Sequence, residues 1–128
     1  MTEFAWIDEA DARAIHDLVL SEHGGAPGLR DEGLLKSALA RARQAQAYGD
    51  APDLIDLAAA YVADIVRNHP YVDGNKRTGF VVGVLFLELN GCRFTAGEAD
   101  ATKAMLDLAA ETLDEAAFAT SMREHTEI

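Results

Sequence analysis

The sequence has few of the features that mark several common protein classes. One cysteine, Cys92, stands among 128 residues, so no disulfide can form within the chain, which is typical of a reducing compartment. The longest apolar run, residues 80–89, is too short to span a bilayer and contains a glycine and a glutamate. The N-terminal residues lack the basic and apolar segments of a signal peptide. We therefore expect a cytoplasmic protein with no membrane partner.

Positive charge is also scarce. The chain has 11 Lys and Arg residues against 22 Asp and Glu residues, which gives a net charge of −11. Because nucleic-acid binding relies on cations that contact phosphates, we expect no direct contact with DNA or RNA. The acidic surface either serves solubility or faces a basic partner.

Two familiar ligand motifs are absent. There is no GxxxxGK[ST] pattern, which excludes a P-loop, and no alternating carboxylates with a final Glu, which excludes an EF-hand loop. The chain also has no internal repeat, low-complexity tract or linker. Its length and continuity predict a single domain over residues 1–128.

Apolar residues recur at helical spacing along the chain, which predicts an all-α fold of about six helices. The predicted helices cover about 8–24, 31–48, 53–68 and 75–90, and two more lie between 98 and 128. The fourth is apolar on most sides, so we expect it to be central and buried, with Gly79 and Gly83 admitting a close neighbour. His16 and His23 on the first helix are expected at the surface, since no third metal ligand lies near them.

The residues best suited to ligand binding and catalysis lie between the third and fourth predicted helices. Gly74 lets the backbone approach a ligand, and the start of the fourth helix offers unpaired N–H groups. Lys76 and Arg77 in its first turn oppose the helix dipole unless an anion binds there. Asn75 either donates its amide to that anion or orients the loop. The pattern therefore predicts a phosphate site.

Two further residues of this loop suit proton transfer and metal binding. His69 titrates near neutrality by default and lies just past a helix end, because Pro70 disfavours helical geometry before it. Asp73 precedes the phosphate site and is a suitable Mg²⁺ ligand. Taken singly, these residues are ordinary turn and surface residues. Taken together, a base, a metal ligand and an anion site indicate transfer of a phosphate-containing group.

The loop resembles the signature of the Fic/Doc family, H-x-F-x-[DE]-[AG]-N-[GK]-R. The matching residues are His69-Pro70-Tyr71-Val72-Asp73-Gly74-Asn75-Lys76-Arg77. Tyr71 replaces the usual Phe and keeps an aromatic side chain. A second stretch, residues 28–39, is similar to the early helix of the Doc, or death-on-curing, branch. The resemblance covers about residues 8–113 and implies the all-α Fic/Doc fold.

The resemblance also implies a role for each matched residue. His69 would be the general base, and Asp73 would hold Mg²⁺ or orient His69. The phosphates of ATP would be bound by Gly74, Asn75, Lys76 and Arg77. Arg30 and Asp31 would help to shape the edge on which a target protein docks.

Two departures from the Fic pattern favour the Doc branch. Fic enzymes have Gly at the position of Lys76 and a second Arg at the position of Phe80, and this sequence has neither. Gly74, in contrast, is the residue that is more typical of Fic enzymes than of Doc. The Doc branch implies a toxin kinase that transfers the γ-phosphate of ATP to a threonine or serine of a translation factor, elongation factor Tu. The alternatives are a Fic-type AMP-transferase and a catalytically silent binding module.

Regulation is expected in trans. Many Fic proteins carry an inhibitory [ST]-x-x-x-E-[GN] helix, and this sequence has no match to it. The resemblance therefore implies a toxin–antitoxin system with a small, Phd-like antitoxin. A segment of that antitoxin would fold on binding beside the motif.

Overall fold

A computed structural model describes residues 4–49 and 52–127. Six α-helices account for most of them, which confirms the all-α prediction. In chain order they are α1 (Glu9–His23), α2 (Glu32–Tyr48), α3 (Leu54–Asn68), α4 (Asn75–Leu89), α5 (Glu98–Ala109) and α6 (Glu115–Glu124). No helix among the described residues is both long and apolar enough to cross a membrane.

Aspartates start four of these helices. The side chains of Asp8 and Asp53 accept the backbone N–H of the residue three positions later in the chain. The side chain of that residue, Asp11 or Asp56, in turn accepts the backbone N–H of the capping aspartate. Asp31 caps α2 and Asp114 caps α6 through the same acceptor geometry. Because caps are local signals, the starts at Asp8, Asp31 and Asp53 were predicted from the sequence, whereas the start of α6 at Asp114 was not.

α3 and α4 form the centre of the molecule. The predicted central helix, 75–90, is α4, and Val82, Phe86 and Leu87 on it are fully buried. α3 is the more deeply buried of the two, because it packs against α2, α4, α5 and α6. Its small residues allow these close approaches, and they are Ala58, Ala59, Ala60 and Ala63.

Two short segments outside the helices form contacts near the two ends of the described chain. Trp6 stacks on Phe86, and the Tyr61 hydroxyl accepts a hydrogen bond from the Ile7 N–H at 3.1 Å. Near the other end, β1 (Arg93–Phe94) pairs antiparallel with β2 (Thr126–Glu127). The sequence pattern predicted helices alone, because a two-residue strand is too short to show any alternation.

Candidate active site

The predicted reactive loop is the connection between α3 and α4. α3 ends at Asn68, as Pro70 predicted, and His69 follows as its C-cap with φ 48° and ψ 55°. Left-handed geometry costs a residue with a side chain about 1–2 kcal/mol. The loop is paired with the glycine-rich segment before α2, through a bridge between Leu29 and Tyr71. His69 is exposed, so its ring is accessible to a substrate.

The side chain of Asn75 closes the loop. Its Oδ1 accepts the Tyr71 N–H at 2.9 Å, and its Nδ2 donates to the Tyr71 carbonyl at 2.9 Å. These two bonds determine which end of the amide faces the imidazole, and Nδ2 lies 3.2 Å from His69 Nδ1. Nδ1 therefore acts as the acceptor, so the hydrogen of the neutral His69 ring is on Nε2. Asn75 is buried and orients the loop, which is one of the two roles predicted for it.

Asp73 lies at the exposed side of the same loop. Its carboxylate accepts the N–H of Gly74 at 2.8 Å and the N–H of Ala26 at 3.2 Å. Two hydrogen bonds lower the pKa of the Asp73 carboxyl, and the one from the Ala26 N–H has a larger effect than the one from the Gly74 N–H. Asp73 is thus ionised at neutral pH. The ring contact to His69 comes from Asn75, so Asn75 takes the orienting role considered for Asp73.

Glycine is favoured where the glycine-rich segment meets Asp73. A Cβ on Gly25 would lie 2.8 Å from the Asp73 carboxylate, and the residue has φ +126°. A side chain here would strain the backbone and require the Asp73 carboxylate to move. The segment before α2 therefore receives this carboxylate at Gly25 and Ala26, a contact that the sequence did not predict.

His16 lies beneath the reactive loop, which corrects the prediction of a surface position. The residue is 3% exposed, and its ring stacks on Tyr71 with centroids 3.8 Å apart. Its Nε2 lies 2.8 Å from the Asp73 carbonyl, and because a carbonyl only accepts, this nitrogen carries a hydrogen. A signal was available in the sequence, since His16 shares one helix face with Ala12 and Val19. His23 is exposed, as predicted.

The first turn of α4 differs in charge from every other described helix start. The other five helices each have at least one carboxylate in the first turn, and four of them have an Asp cap. α4 has Gly74 as its cap, no capping side chain, and the exposed cations Lys76 and Arg77. Neither cation forms an ion pair within residues 4–49 and 52–127. Free N–H groups, the positive end of the dipole and two cations together suit the binding of an anion.

The two residues predicted to dock a target have partners inside the chain. Arg30 donates from Nε to the His69 carbonyl at 2.6 Å and from Nη2 to the Asn68 carbonyl at 2.7 Å. Asp31 caps α2 by accepting the Leu34 N–H at 3.0 Å. Sequence reasoning predicted the Asp31 cap, which is a local contact, but missed the Arg30 contacts, because these depend on residues that the fold brings together. A docking role for these residues remains a prediction.

The site fits a magnesium ion that arrives with a nucleotide. The part of the chain that the structure describes has no group of three or more His, Cys, Asp or Glu side chains able to hold a metal. Mg²⁺ is commonly held by one or two carboxylates together with substrate phosphates. The ionised Asp73 carboxylate in this loop would supply the protein's share of such a shell.

Comparison with known proteins identifies relatives of this chain. Residues 6–87 match a family model described as Fic/DOC family. The chain is 37% identical over 78 residues to the protein kinase doc of Escherichia phage P1, a match that covers 61% of this chain and 62% of that protein. It is 43% identical over 98 residues to the toxin Doc of Mycolicibacterium smegmatis, covering 75% of this chain and 71% of that protein. The chain thus matches less than two thirds of the phage protein's length.

Proposed function

Because the chain belongs to the Fic/Doc family, we propose that it is a Doc-type toxin that transfers the γ-phosphate of ATP to a threonine or serine hydroxyl of a translation factor. Elongation factor Tu is the expected target. The observation that carries this proposal is the first turn of α4, which has no acidic residue, no capping side chain and two exposed cations. It directly follows a loop that presents His69 and Asp73.

The proposed reaction is a direct displacement at phosphorus. The acceptor hydroxyl oxygen forms a bond to the γ-phosphorus as the bond from that phosphorus to the bridging oxygen of ADP breaks. His69 takes the hydroxyl proton, and ADP leaves. The N–H groups of the first turn of α4, with Lys76 and Arg77, stabilise the phosphate charge. Mg²⁺ held by Asp73 would add further neutralisation of the phosphates.

The contact between His69 and Asn75 has a consequence for this step. In the resting protein the lone pair of the His69 ring is on Nδ1 and points at Asn75 Nδ2. Proton uptake therefore requires the ring either to leave Asn75 or to exchange its tautomer when the hydroxyl binds. Ring ¹⁵N chemical shifts distinguish the two tautomers, so a spectrum with and without ATP would measure the change.

Transfer of AMP is the second candidate function. The same base and the same anion site would serve it if the nucleotide bound with its α-phosphate at the acceptor. Lys76 and Phe80 favour γ-phosphate transfer, because they replace the Gly and the second Arg of the Fic pattern. Gly74 is the residue that favours AMP transfer. A catalytically silent binding module, the third alternative, would not need ATP in either orientation.

The deciding experiment uses two labels on one preparation. The purified protein is incubated with Mg²⁺, elongation factor Tu and a cell lysate, and with either γ-labelled or α-labelled ATP. We expect labelled protein from the γ position alone. Label from the α position alone would replace the kinase by an AMP-transferase. No label from either would count against both enzymes and favour the binding module.

The control variants must separate chemistry from folding. His69→Asn suits the site, because Asn tolerates left-handed geometry but does not take up the proton. We expect it to keep its thermal unfolding midpoint and lose labelling by about 100-fold or more, as removal of a general base does. His23→Ala is the matched histidine control, since His23 is exposed on α1. Equal labelling by His69→Asn and the unmutated chain would refute the base assignment.

The proposal includes a partner and a compartment. A toxin of this kind acts in the cytoplasm, where ATP and translation factors are found. A small, Phd-like antitoxin would bind in trans beside the reactive loop and keep the toxin inactive. Co-expression of such an antitoxin with the chain should restore growth, and the pair should purify together.

A further inference from the structure

We propose that Arg30 is a positioning residue for His69. The proposal rests on the proposed function in one respect, which is that His69 is the base. The Arg30 guanidinium donates to the carbonyls of His69 and Asn68 at 2.6 and 2.7 Å. The Arg30 backbone N–H donates to the Pro70 carbonyl at 2.7 Å. One residue thus binds three consecutive carbonyls, those on either side of His69 and that of His69 itself.

The backbone of His69 needs such a restraint. Its φ of 48° is left-handed, and a residue before proline favours extended geometry instead. Conformations of this kind persist only where neighbouring groups hold them. The His69 N–H bonds to Ile65 as an ordinary helix cap, which fixes the N-terminal side of the residue. Arg30 holds the carbonyl side.

Charge makes arginine well suited to this place. The carbonyls of Asn68 and His69 form the C-terminal end of α3, where the helix dipole is negative. A guanidinium neutralises this end and presents two N–H groups in a fixed plane, whereas a lysine ammonium offers a single point of charge. Arg30→Lys should therefore retain part of the effect, and Arg30→Gln should retain none of the charge.

This role differs measurably from docking of a target. A positioning residue acts on the base, so its loss lowers kcat and leaves the KM for the acceptor protein unchanged. A docking residue acts on the acceptor, so its loss raises KM and leaves the base in place. A misplacement of about 1 Å commonly costs about 100-fold in rate, so we expect kcat to fall by about 10- to 100-fold in Arg30→Gln.

The experiment has one arm that does not depend on activity. Backbone and ring chemical shifts of His69 are measured by NMR in the full chain, in Arg30→Gln, in Arg30→Lys and in the control Arg93→Ala. Arg93 is an exposed arginine on β1, beyond the opposite end of α4. The kinetic arm measures transfer of labelled phosphate to elongation factor Tu, with thermal midpoints recorded for all four proteins.

The proposal predicts that Arg30→Gln shifts the His69 signals and lowers kcat. It predicts that Arg30→Lys gives values between those of the unmutated chain and Arg30→Gln, and that Arg93→Ala changes neither the His69 signals nor kcat. Unchanged His69 signals in Arg30→Gln would overturn it. A raised KM with unchanged kcat would overturn it in favour of docking. If the unmutated chain transfers no label, the proposed function fails, yet the His69 spectra still decide whether Arg30 holds this backbone.

Discussion

The sharpest stability prediction concerns Gly83, at the contact between α3 and α4. A Cβ added there would overlap Val62 Cγ2 and lie 3.2 Å from the Ala58 carbonyl oxygen. Val62 cannot easily turn away, because it is fully buried and a β-branched side chain has one favoured rotamer in a helix. The Ala58 oxygen belongs to the backbone. Gly83→Ala must therefore push α3 and α4 apart.

The magnitude follows from two opposing effects. Overpacking a buried contact costs about 1–3 kcal/mol, and a distance as short as this one belongs at the upper end. Replacing Gly by Ala inside a helix returns about 1 kcal/mol through helix propensity. The net expectation is a loss of about 2 kcal/mol in the free energy of unfolding. For a chain of this length that corresponds to a fall of about 6–10 °C in the thermal midpoint.

Gly79, one turn earlier on α4, is the matched control. Its added Cβ would lie 3.3 Å from the Val62 carbonyl oxygen and 3.4 Å from Ile65 Cβ, so small adjustments suffice. We expect Gly79→Ala to stay within about 1 kcal/mol of the unmutated chain, because propensity offsets the tighter contact. Urea unfolding followed by circular dichroism measures both. Equal stability of the two variants would refute the close α3–α4 packing described here.

A second substitution, at Val62, tests whether contact with this side chain causes the loss of stability in Gly83→Ala. Val62→Ala removes the methyl group that the Gly83→Ala side chain meets, so the double variant should be more stable than the sum of the single effects predicts. Coupling of about 1 kcal/mol or more is typical of residues in direct contact. Additive effects would mean that the Ala58 backbone, and not Val62, limits the approach.

Three further predictions concern the reactive loop. Tyr71→Phe should raise the free energy of unfolding by about 1–3 kcal/mol, because the Tyr71 hydroxyl is buried without a hydrogen-bond partner in the described structure; a loss in urea unfolding would reveal a partner. Asp73→Asn should narrow the difference in thermal midpoint between pH 7 and pH 3. The folded pKa of Asp73 is lowered, so its contribution is present above about pH 4 and is lost as pH falls toward the folded pKa. Gly25→Ala should lower labelling, since its Cβ would require the Asp73 carboxylate to move; unchanged labelling would mean that this contact is dispensable.

Local signals in the sequence were sufficient for the helices and for the location of the reactive loop. Asp8, Asp31 and Asp53 start helices through their own side chains, and Pro70 ends α3 by steric clash with the residue before it. The same local character applies to the loop. His69, Asp73 and the first turn of α4 lie within nine consecutive residues, so their proximity follows from chain connectivity.

The contacts that organise the loop could not be read in this way. Arg30 lies 39 positions from His69, and His16 lies 57 positions from Asp73. A histidine or an arginine on a predicted helix edge has many possible partners, and periodicity indicates its face but not what covers that face. The sequence therefore predicted a surface position for His16, because no third metal ligand lay near it, and the family resemblance alone implied a docking role for Arg30.

The sequence by itself determined that this chain is helical, where its helices begin, and which nine residues resemble the Fic/Doc signature, because each of these depends on neighbours along the chain. Only the tertiary structure decided how those residues are held. Asn75 orients His69, His16 supports Asp73 from below, and Arg30 binds the carbonyls around His69. The physical reason is that the hydrogen bonds of His16 and Arg30 join residues far apart in the chain, so they exist only after the packing of α1, α3, α4 and the segment before α2 has set the separation of those residues.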